Sequence, residues 1–296
     1  MKTMAQLPTV TRAQLPNHDY HQNREYLSNS ACSMFLASPA LFGTWLRGEY
    51  TRSVTKALRI GSALDGILTS TFDEGCVLRP PMDRRTKVGK AMYEDFLANI
   101  GDRMEIPDEE YKVAEAMAES VMKHPIASDL LADVVDNQSS LWWTEGNSNW
   151  KVRFDGEMTG NRILELKTHA PFKREADNQR EWQTSVWDYG YHRQAALYRH
   201  ALALEKRIED QDVSHTTVAV GSSFPYDVHV FQYTEELLQV GMEELRAISH
   251  EIHLRKSMDM WELDPETRIV GVPGWVAKQR DRKLIQEQRE AAARQH

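Results

Sequence analysis

Residues 150–167 read WKVRFDGEMTGNRILELK, a pattern typical of two short strands joined by a polar turn. The first strand would end in Asp155, and the second would carry Glu165 and Lys167. Side chains alternate between the two faces of a strand, which rises about 3.3 Å per residue. The side chains of Glu165 and Lys167 therefore point the same way, roughly 7 Å apart along one face.

The polar turn decides where Asp155 lies. Residues 158–161 (MTGN) include the residue types that favour a turn, and such a turn folds the first strand back on the second. Asp155 would then face the same pocket as Glu165 and Lys167. Two carboxylates and an ammonium group at one place are costly unless a cation joins them. The stretch therefore predicts a metal site.

The spacing of these residues is weakly specific by itself. An Asp, a variable gap and an acid-x-Lys triplet should occur about once by chance in a chain of this length. The apolar context adds specificity, because Leu164 and Leu166 alternate with Glu165 and would point into a core. The alternative is a solvated hairpin in which Glu165 and Lys167 form an exposed pair.

Composition favours a globular protein. The chain has 296 residues, 41% of them hydrophobic, which is enough for one large domain or two ordinary ones. Its formal net charge of −8 argues against broad coating of duplex DNA, which calls for a basic protein. A channel lined locally by Lys and Arg stays compatible with this charge, because the field that acts on DNA is local.

The two cysteines, Cys32 and Cys76, give neither a metal-cluster spacing nor a disulfide framework. A reduced, cytoplasmic protein is therefore expected. The first residues, MKTMAQLPTVTRAQLP, contain no long apolar run, so neither a signal peptide nor a membrane span is expected.

The chain divides into three predicted parts. Residues 1–25 are polar with little periodicity and predict an extended arm, residues 26–276 predict a single domain, and residues 277–296 predict a charged helical tail. The domain would begin with helices capped near Ser28 and restarted at Pro39. Further helices are predicted over 87–100, 108–123, 125–132, 176–188, 190–209 and 234–255, and strands over 76–79, 139–144, 213–220 and 228–233.

Asp65 lies within an apolar helix predicted over residues 55–70. Helical phase places it on one side with Leu58, Gly61, Ser62 and Thr69. This small and polar stripe could line a cleft or face water. We favour the cleft.

Two groups of basic residues are candidate DNA contacts. Arg84, Arg85 and Lys87 lie in a predicted loop, and Lys173 and Arg174 lie in the polar stretch after the second strand. Both groups could contact phosphates, or they could be ordinary solvated charges.

Gln194 and Tyr198 lie one turn apart on the helix predicted over 190–209, so they are neighbours on one face. They could hold a phosphate or orient a lysine. Equally, they could be ordinary surface residues.

These motifs together resemble the PD-(D/E)XK nuclease superfamily and, within it, the RecE/lambda-type phage exonucleases. The resemblance covers roughly residues 27–275. It rests on LSNSACSMFLASP at 27–39, KALRIGSA at 56–63, RFD at 153–155, ELKT at 165–168 and Tyr191-x-x-Gln194-x-x-x-Tyr198. The iron–sulfur branch of the superfamily needs four cysteines and is excluded. The RecE-like branch usually carries His where this chain has Asp65.

The resemblance implies an α+β (α/β) fold of the restriction-endonuclease type, in which helices flank a mixed central sheet and a helical region precedes it. Asp155, Glu165 and the Leu166 carbonyl, together with Asp65, would hold Mg²⁺ or Mn²⁺. Lys167, with a pKa lowered by the nearby cation, would position or deprotonate the attacking water. Gln194 and Tyr198 would orient Lys167 or a phosphate.

The resemblance also implies 5′→3′ digestion of linear duplex DNA from its ends by a ring-shaped homo-oligomer that works with a single-strand annealing protein. Three other interpretations stay open at this point. They are an endonuclease for branched or nicked DNA, a catalytically silent DNA- or protein-binding module on the same fold, and an unrelated acidic metal-binding α/β enzyme.

Overall fold

The residues described by a computed structural model are 8–51, 53–171 and 178–262. The strands are β1 (Thr11–Ala13), β2 (Cys76–Leu78), β3 (Met104–Ile106), β4 (Val134–Asn137), β5 (Ser140–Glu145), β6 (Ser148–Arg153), β7 (Gly156–Met158), β8 (Arg162–His169), β9 (Ser214–Gly221) and β10 (Val228–Gln232). The helices are α1 (Asn17–Gln22), α2 (Asn29–Ala37), α3 (Pro39–Leu46), α4 (Lys56–Leu68), α5 (Phe72–Gly75), α6 (Lys87–Asn99), α7 (Asp108–Lys123), α8 (Pro125–Ala132), α9 (Asn178–Tyr189), α10 (Tyr191–Lys206) and α11 (Glu235–Met258).

The central sheet has five strands in the order β10-β9-β8-β7-β4. Strands β8 and β9 run parallel, whereas the other neighbouring pairs are antiparallel, so the sheet is mixed. A second, antiparallel sheet has the order β1-β5-β6, and β2 and β3 form a short parallel pair. The predicted α+β class with a mixed central sheet is confirmed.

The stretch 150–167 forms parts of three strands instead of the two that were predicted. The turn at 159–161 joins β7 to β8, as expected, with Asn161 and Gly160 both at positive φ. However, the strand before it breaks at Phe154 and Asp155, because β6 pairs with β5 whereas β7 pairs with β8 and β4. Asp155 therefore lies at the point where the chain passes from one sheet to the other.

Helices cover both faces of the central sheet. On one face, Ile163 of β8 packs in a cluster with Leu197 and Tyr198 of α10. On the other, Leu164 packs in a cluster with Leu64 of α4. Because neighbouring residues of a strand point to opposite faces, Glu165 and Lys167 lie on the α10 face of β8. Leu166 packs against the cluster on the α4 face, as the sequence predicts.

The helix ends follow the sequence signals. The Ser28 side chain accepts a hydrogen bond of 3.3 Å from the Ala31 N–H, and Ser38 accepts one of 3.1 Å from the Leu41 N–H at the start of α3. Thr234 caps α11 in the same way. These contacts use the side-chain oxygens to satisfy amide groups that have no partner inside the helix.

The N-terminal segment differs from the predicted extended arm. Strand β1 joins the second sheet, and residues 17–22 are helical. Helix α1 is stabilised from outside, since Lys151 Nζ donates to the carbonyl oxygens of Tyr20 and Asn23 at 2.5 Å each. A partner about 130 residues away in the chain cannot be read from a local pattern.

The predicted domain limits stay predictions. The boundary at 276/277 and the tail after it lie outside the described residues, and every helix and strand given above belongs to the unit Met1–Trp261. Within the described ranges, no helix combines the length and the apolar character needed to cross a bilayer.

Candidate active site

Asp155 is tied to the strand that carries the other candidate residues. Its Oδ2 accepts a hydrogen bond of 2.8 Å from the main-chain N–H of Leu166. Burial raises the pKa of Asp155, while the charge of Lys167, this hydrogen bond and the charge of Arg153 act in the opposite direction. The break between β6 and β7 therefore places a half-buried carboxylate directly against β8.

Glu165 lies at the centre of the site and is 3% exposed. Its Oε1 accepts a hydrogen bond of 2.8 Å from Gln194 Nε2 and forms an ion pair with Lys167. Gln194 Nε2 also donates to the Tyr198 hydroxyl at 3.0 Å. Burial and the charge of Asp155 raise the pKa of Glu165 to about 8.

Gln194 and Tyr198 thus face the site and are not ordinary surface residues. Helix α10 begins directly after Gly190, whose φ of +68° suits glycine and turns the chain from α9 into α10. The predicted orientation of Lys167 by Gln194 is not what the described contacts show, since Gln194 binds the carboxylate of Glu165 instead. It acts on Lys167 only through this shared partner.

Lys167 is a protonated ammonium group in this arrangement. Burial disfavours its charge, but the charges of Glu165 and Asp155 outweigh burial and raise its pKa above the ordinary value. Its Nζ also lies 5.1 Å from the centre of the Tyr191 ring, within reach of a cation–π contact. The lowered pKa expected for Lys167 beside a bound cation stays a prediction, because the raised value belongs to the protein without one.

Asp65 of α4 is the third acid of the site and lies close enough to Asp155 and Glu165 to interact with their charges. Burial, followed by the charges of Asp155 and Glu165, raises its pKa well above the usual range. Its Oδ2 accepts a hydrogen bond of 2.6 Å from Gln138 Nε2. The small stripe of α4 faces the end of β8, because the Cβ of a residue placed at Gly61 would lie 3.9 Å from the Thr168 side chain. Asp65 therefore lines the site and is not on a solvent-facing stripe.

The acids fit a hard divalent cation by their chemistry. Asp65 Oδ1 and Glu165 Oε2 are shielded from solvent and have no hydrogen-bond partner among the described residues. A buried carboxylate oxygen without a partner is costly, and Mg²⁺ and Mn²⁺ prefer such oxygens. As they stand, however, the described residues contain no cluster of three or more His, Cys, Asp or Glu side chains arranged as a ready metal site.

Two residues of the site were missed by the sequence analysis. Gln138 has a positive φ of 56° between β4 and β5, and it binds Asp65 with its side chain. Arg153 Nε donates a hydrogen bond of 2.7 Å to Gln138 Oε1. Arg153 precedes Phe154 and Asp155 in the quoted stretch, so its position could have suggested a role, but no local signal identifies Gln138.

The five basic residues predicted to contact DNA lie outside this cluster of contacts or outside the described residues. Arg85 forms a hydrogen-bonded pair with Asp83, and the Arg84 guanidinium lies 3.9 Å from the centre of the Tyr93 ring. Lys87 is the first residue of α6 and is exposed. Lys173 and Arg174 lie outside the described residues. A role of these five residues in DNA binding stays a prediction.

The chain was compared with known families and structures. The model of a family described as "PDDEXK-like domain of unknown function (DUF3799)" matches residues 28–261. The chain belongs to this family. It is therefore a member of the PD-(D/E)XK superfamily, and the fold type expected from the resemblance is confirmed.

A solved structure has a similar fold. It is described as "Putative exonuclease" from Eubacterium rectale, is 17% identical in sequence and superposes with a TM-score of 0.59. The similarity covers 88% of this chain and 96% of that chain. A comparison with curated proteins found no match. The identity is too low to carry more than the fold.

Proposed function

We propose that this PD-(D/E)XK protein is a metal-dependent exodeoxyribonuclease that hydrolyses linear duplex DNA from its ends in the 5′→3′ direction. The observation that carries the proposal is the joint placement of Asp155, Glu165 and Lys167 on one buried site, with Gln194 bound to Glu165. The Eubacterium rectale protein of similar fold, described as "Putative exonuclease", supports this type of activity.

Asp155 and Glu165, with Asp65 and the Leu166 carbonyl, would hold Mg²⁺ or Mn²⁺. When bound, such an ion would acidify a water molecule and offset the negative charge of the scissile phosphate. Burial raises the pKa values of all three carboxyl groups, and repulsion by the neighbouring acids adds to this for Asp65 and Glu165. Both influences favour the neutral acids, so the carboxyl groups would be held in their ionised form only beside a bound cation.

Lys167 would place a positive charge beside the phosphate and orient the attacking water. As an ammonium group it donates hydrogen bonds and cannot accept a proton. Once the charges of Glu165 and Asp155 are offset, burial becomes the dominant influence on Lys167 and lowers its pKa. The loaded site would then allow Lys167 to exchange a proton with water.

DNA would be recognised through its phosphate backbone, largely without regard to sequence. A chain with a formal net charge of −8 needs a local basic surface for this purpose. Arg84, Arg85 and Lys87, together with Lys173 and Arg174, are the candidates. From the family resemblance we also propose a homo-oligomeric ring and a single-strand annealing protein as partners, in phage-type recombination.

The first experiment compares linear and closed-circular duplex DNA with Mg²⁺, Mn²⁺ or EDTA, using the wild-type chain and Lys167→Ala. We expect metal-dependent loss of linear DNA only, and no loss with the variant. Linear DNA labelled at the 5′ or the 3′ end reports the polarity, since 5′→3′ digestion releases the 5′ label first.

Lys123→Ala is the matched control, because Lys123 is exposed and pairs with exposed Glu119 on the surface. It should digest DNA as fast as the wild type does. Cutting of the closed circle would replace the exonuclease with an endonuclease. Absence of cleavage with either metal would favour a catalytically silent DNA- or protein-binding module on the same fold.

A further inference from the structure

Gln138 connects two of the three acids of the site. Its main-chain N–H points to the Asp155 carbonyl oxygen at 3.4 Å, and its side-chain Nε2 donates to Asp65 Oδ2 at 2.6 Å. The residue belongs to neither of the elements that carry these acids. It lies in the turn from β4 of the central sheet to β5 of the second sheet.

The orientation of the Gln138 amide is fixed by its two partners. Arg153 can only donate, so the atom 2.7 Å from Arg153 Nε must be the amide oxygen. The amide nitrogen then faces Asp65 and can donate both to an ionised and to a neutral carboxyl group. Arg153 in turn donates to the Leu15 carbonyl oxygen at 3.1 Å, which anchors the chain of contacts in the N-terminal segment.

The backbone of Gln138 has an energetic cost that a contact made by its side chain can offset. With φ at +56°, residue 138 is in the left-handed region, which costs most side chains roughly 1 kcal/mol and suits glycine or asparagine. A turn alone would be built at lower cost with either of those two. The long amide of glutamine is what reaches Asp65.

We propose that Gln138 is a positioning residue of the active site, which holds Asp65 Oδ2 so that Oδ1 is the oxygen left for a divalent cation. Only the expected effect of Gln138 on DNA cleavage rests on the proposed function. Its structural basis is that Oδ1 is shielded from solvent and has no hydrogen-bond partner among the described residues, whereas Oδ2 is engaged.

The test measures Mn²⁺ binding to the full chain by the loss of the electron paramagnetic resonance signal of free Mn²⁺. Gln138→Gly and Gln138→Asn both suit the positive φ but lack the reach to Asp65. We expect each to weaken Mn²⁺ binding by about 10-fold, the lower end of what loss of such supporting contacts costs. Their melting temperatures should stay close to that of the wild type, because relief of the backbone offsets the lost contacts to Asp65 and Arg153.

Arg207→Gly is the matched control. Arg207 also has a φ of +57°, is exposed, and ends α10. Its replacement relieves the same backbone conformation and should leave Mn²⁺ binding unchanged. A purely structural role for Gln138 predicts the opposite pattern, in which the melting temperature falls and the affinity for Mn²⁺ is unchanged.

Cleavage of linear DNA under single-turnover conditions separates this inference from the proposed function. If the wild type binds Mn²⁺ but leaves DNA intact, the proposed function fails, and the inference is judged by Mn²⁺ binding alone. If the wild type digests DNA and both Gln138 variants bind Mn²⁺ and digest DNA as it does, the inference fails and the function stands. A wild type that binds no Mn²⁺ overturns the inference as well.

Discussion

The main-chain N–H of Leu166 donates a hydrogen bond of 2.8 Å to Asp155 Oδ2. Leu166 lies between Glu165 and Lys167, so this single contact sets the position of Asp155 relative to both. The pairing of β7 with β8 ends at Gly156 and Leu164. The Leu166 N–H lies on the same edge of β8, two residues beyond this last pair. The carboxylate thus takes the place that the next strand residue would have had in the sheet.

A bound divalent ion should stabilise the folded chain. Burial raises the pKa values of all three acids, repulsion by the neighbouring acids adds to this for Asp65 and Glu165, and a cation would offset both influences. When its concentration exceeds the dissociation constant about a hundredfold, Mg²⁺ should raise the free energy of unfolding by about 3 kcal/mol, and EDTA should reverse the change. Thermal melting followed by circular dichroism measures this.

Glu165→Gln should abolish this stabilisation by Mg²⁺. Glu119→Gln, which alters an exposed glutamate on α7, should retain it. An equal shift in melting temperature in all three proteins would place the ion elsewhere and contradict the assigned site.

Gln194 should matter for turnover more than for stability. Gln194→Ala removes the donor that fixes Glu165 Oε1, so we expect kcat to fall by about 10- to 100-fold with little change in KM or melting temperature. Tyr198→Phe should have a smaller effect, because the hydroxyl contacts Glu165 only by way of Gln194. Gln239→Ala, on the exposed side of α11, is the control. A larger loss with Tyr198→Phe would mean that the phenol contacts substrate directly.

The sequence predicted most helices and most strands because their signals are local. Ser28 and Ser38 cap α2 and α3 through contacts to residues three positions away, and Pro39 begins α3. The alternation of Leu164 and Leu166 with Glu165 identified the two faces of β8 correctly. Such patterns act within one or two turns or a single strand, where neighbours in sequence are neighbours in space.

The remaining features depend on contacts between distant parts of the chain. The strand break at Asp155 follows from pairing of β6 with β5 but of β7 with β4, which residues 150–158 do not reveal. The contact between Gln138 and Asp65 spans 73 positions. The raised pKa of Lys167 in the cation-free protein could not be predicted from the sequence, because its value depends on which of two opposing influences, burial or the neighbouring carboxylates, is larger.

His200 should make stability depend on pH outside the active site. Its Nδ1 lies 3.1 Å from Asp210 and its Nε2 lies 2.9 Å from Glu145, an arrangement in which both ring nitrogens donate. Burial disfavours the charged ring, but the two carboxylates outweigh burial and raise the pKa of His200 to about 9. The charged ring therefore stabilises the fold.

The direction in which stability changes with pH follows from the raised pKa of His200. The stabilisation is complete below the unfolded pKa of about 6.5 and is lost as pH rises through 9. His200→Gln should lower the free energy of unfolding by about 1–2 kcal/mol at pH 6 and by much less at pH 9.5. The loss at pH 6 is smaller than the whole pKa shift implies, because both carboxylates are partly exposed and screened by solvent. Urea unfolding at the two pH values tests this, and a cost that does not change with pH would contradict it.

Gly241 should be required where α11 crosses α10. A Cβ at this position would lie 2.6 Å from the His192 carbonyl oxygen and 3.1 Å from the Arg193 nitrogen, and backbone atoms cannot move away as a flexible side chain can. Gly241→Ala should therefore lower the free energy of unfolding by about 1–3 kcal/mol, measured by urea unfolding. Gly75→Ala is the control, because no atom of the described residues outside its own stretch of chain lies within 4 Å of a Cβ at that position. Since Gln194 follows Arg193 on α10, Gly241→Ala should also slow DNA cleavage under conditions in which the variant stays folded. A variant as stable as the wild type would mean that the two helices are not packed this closely.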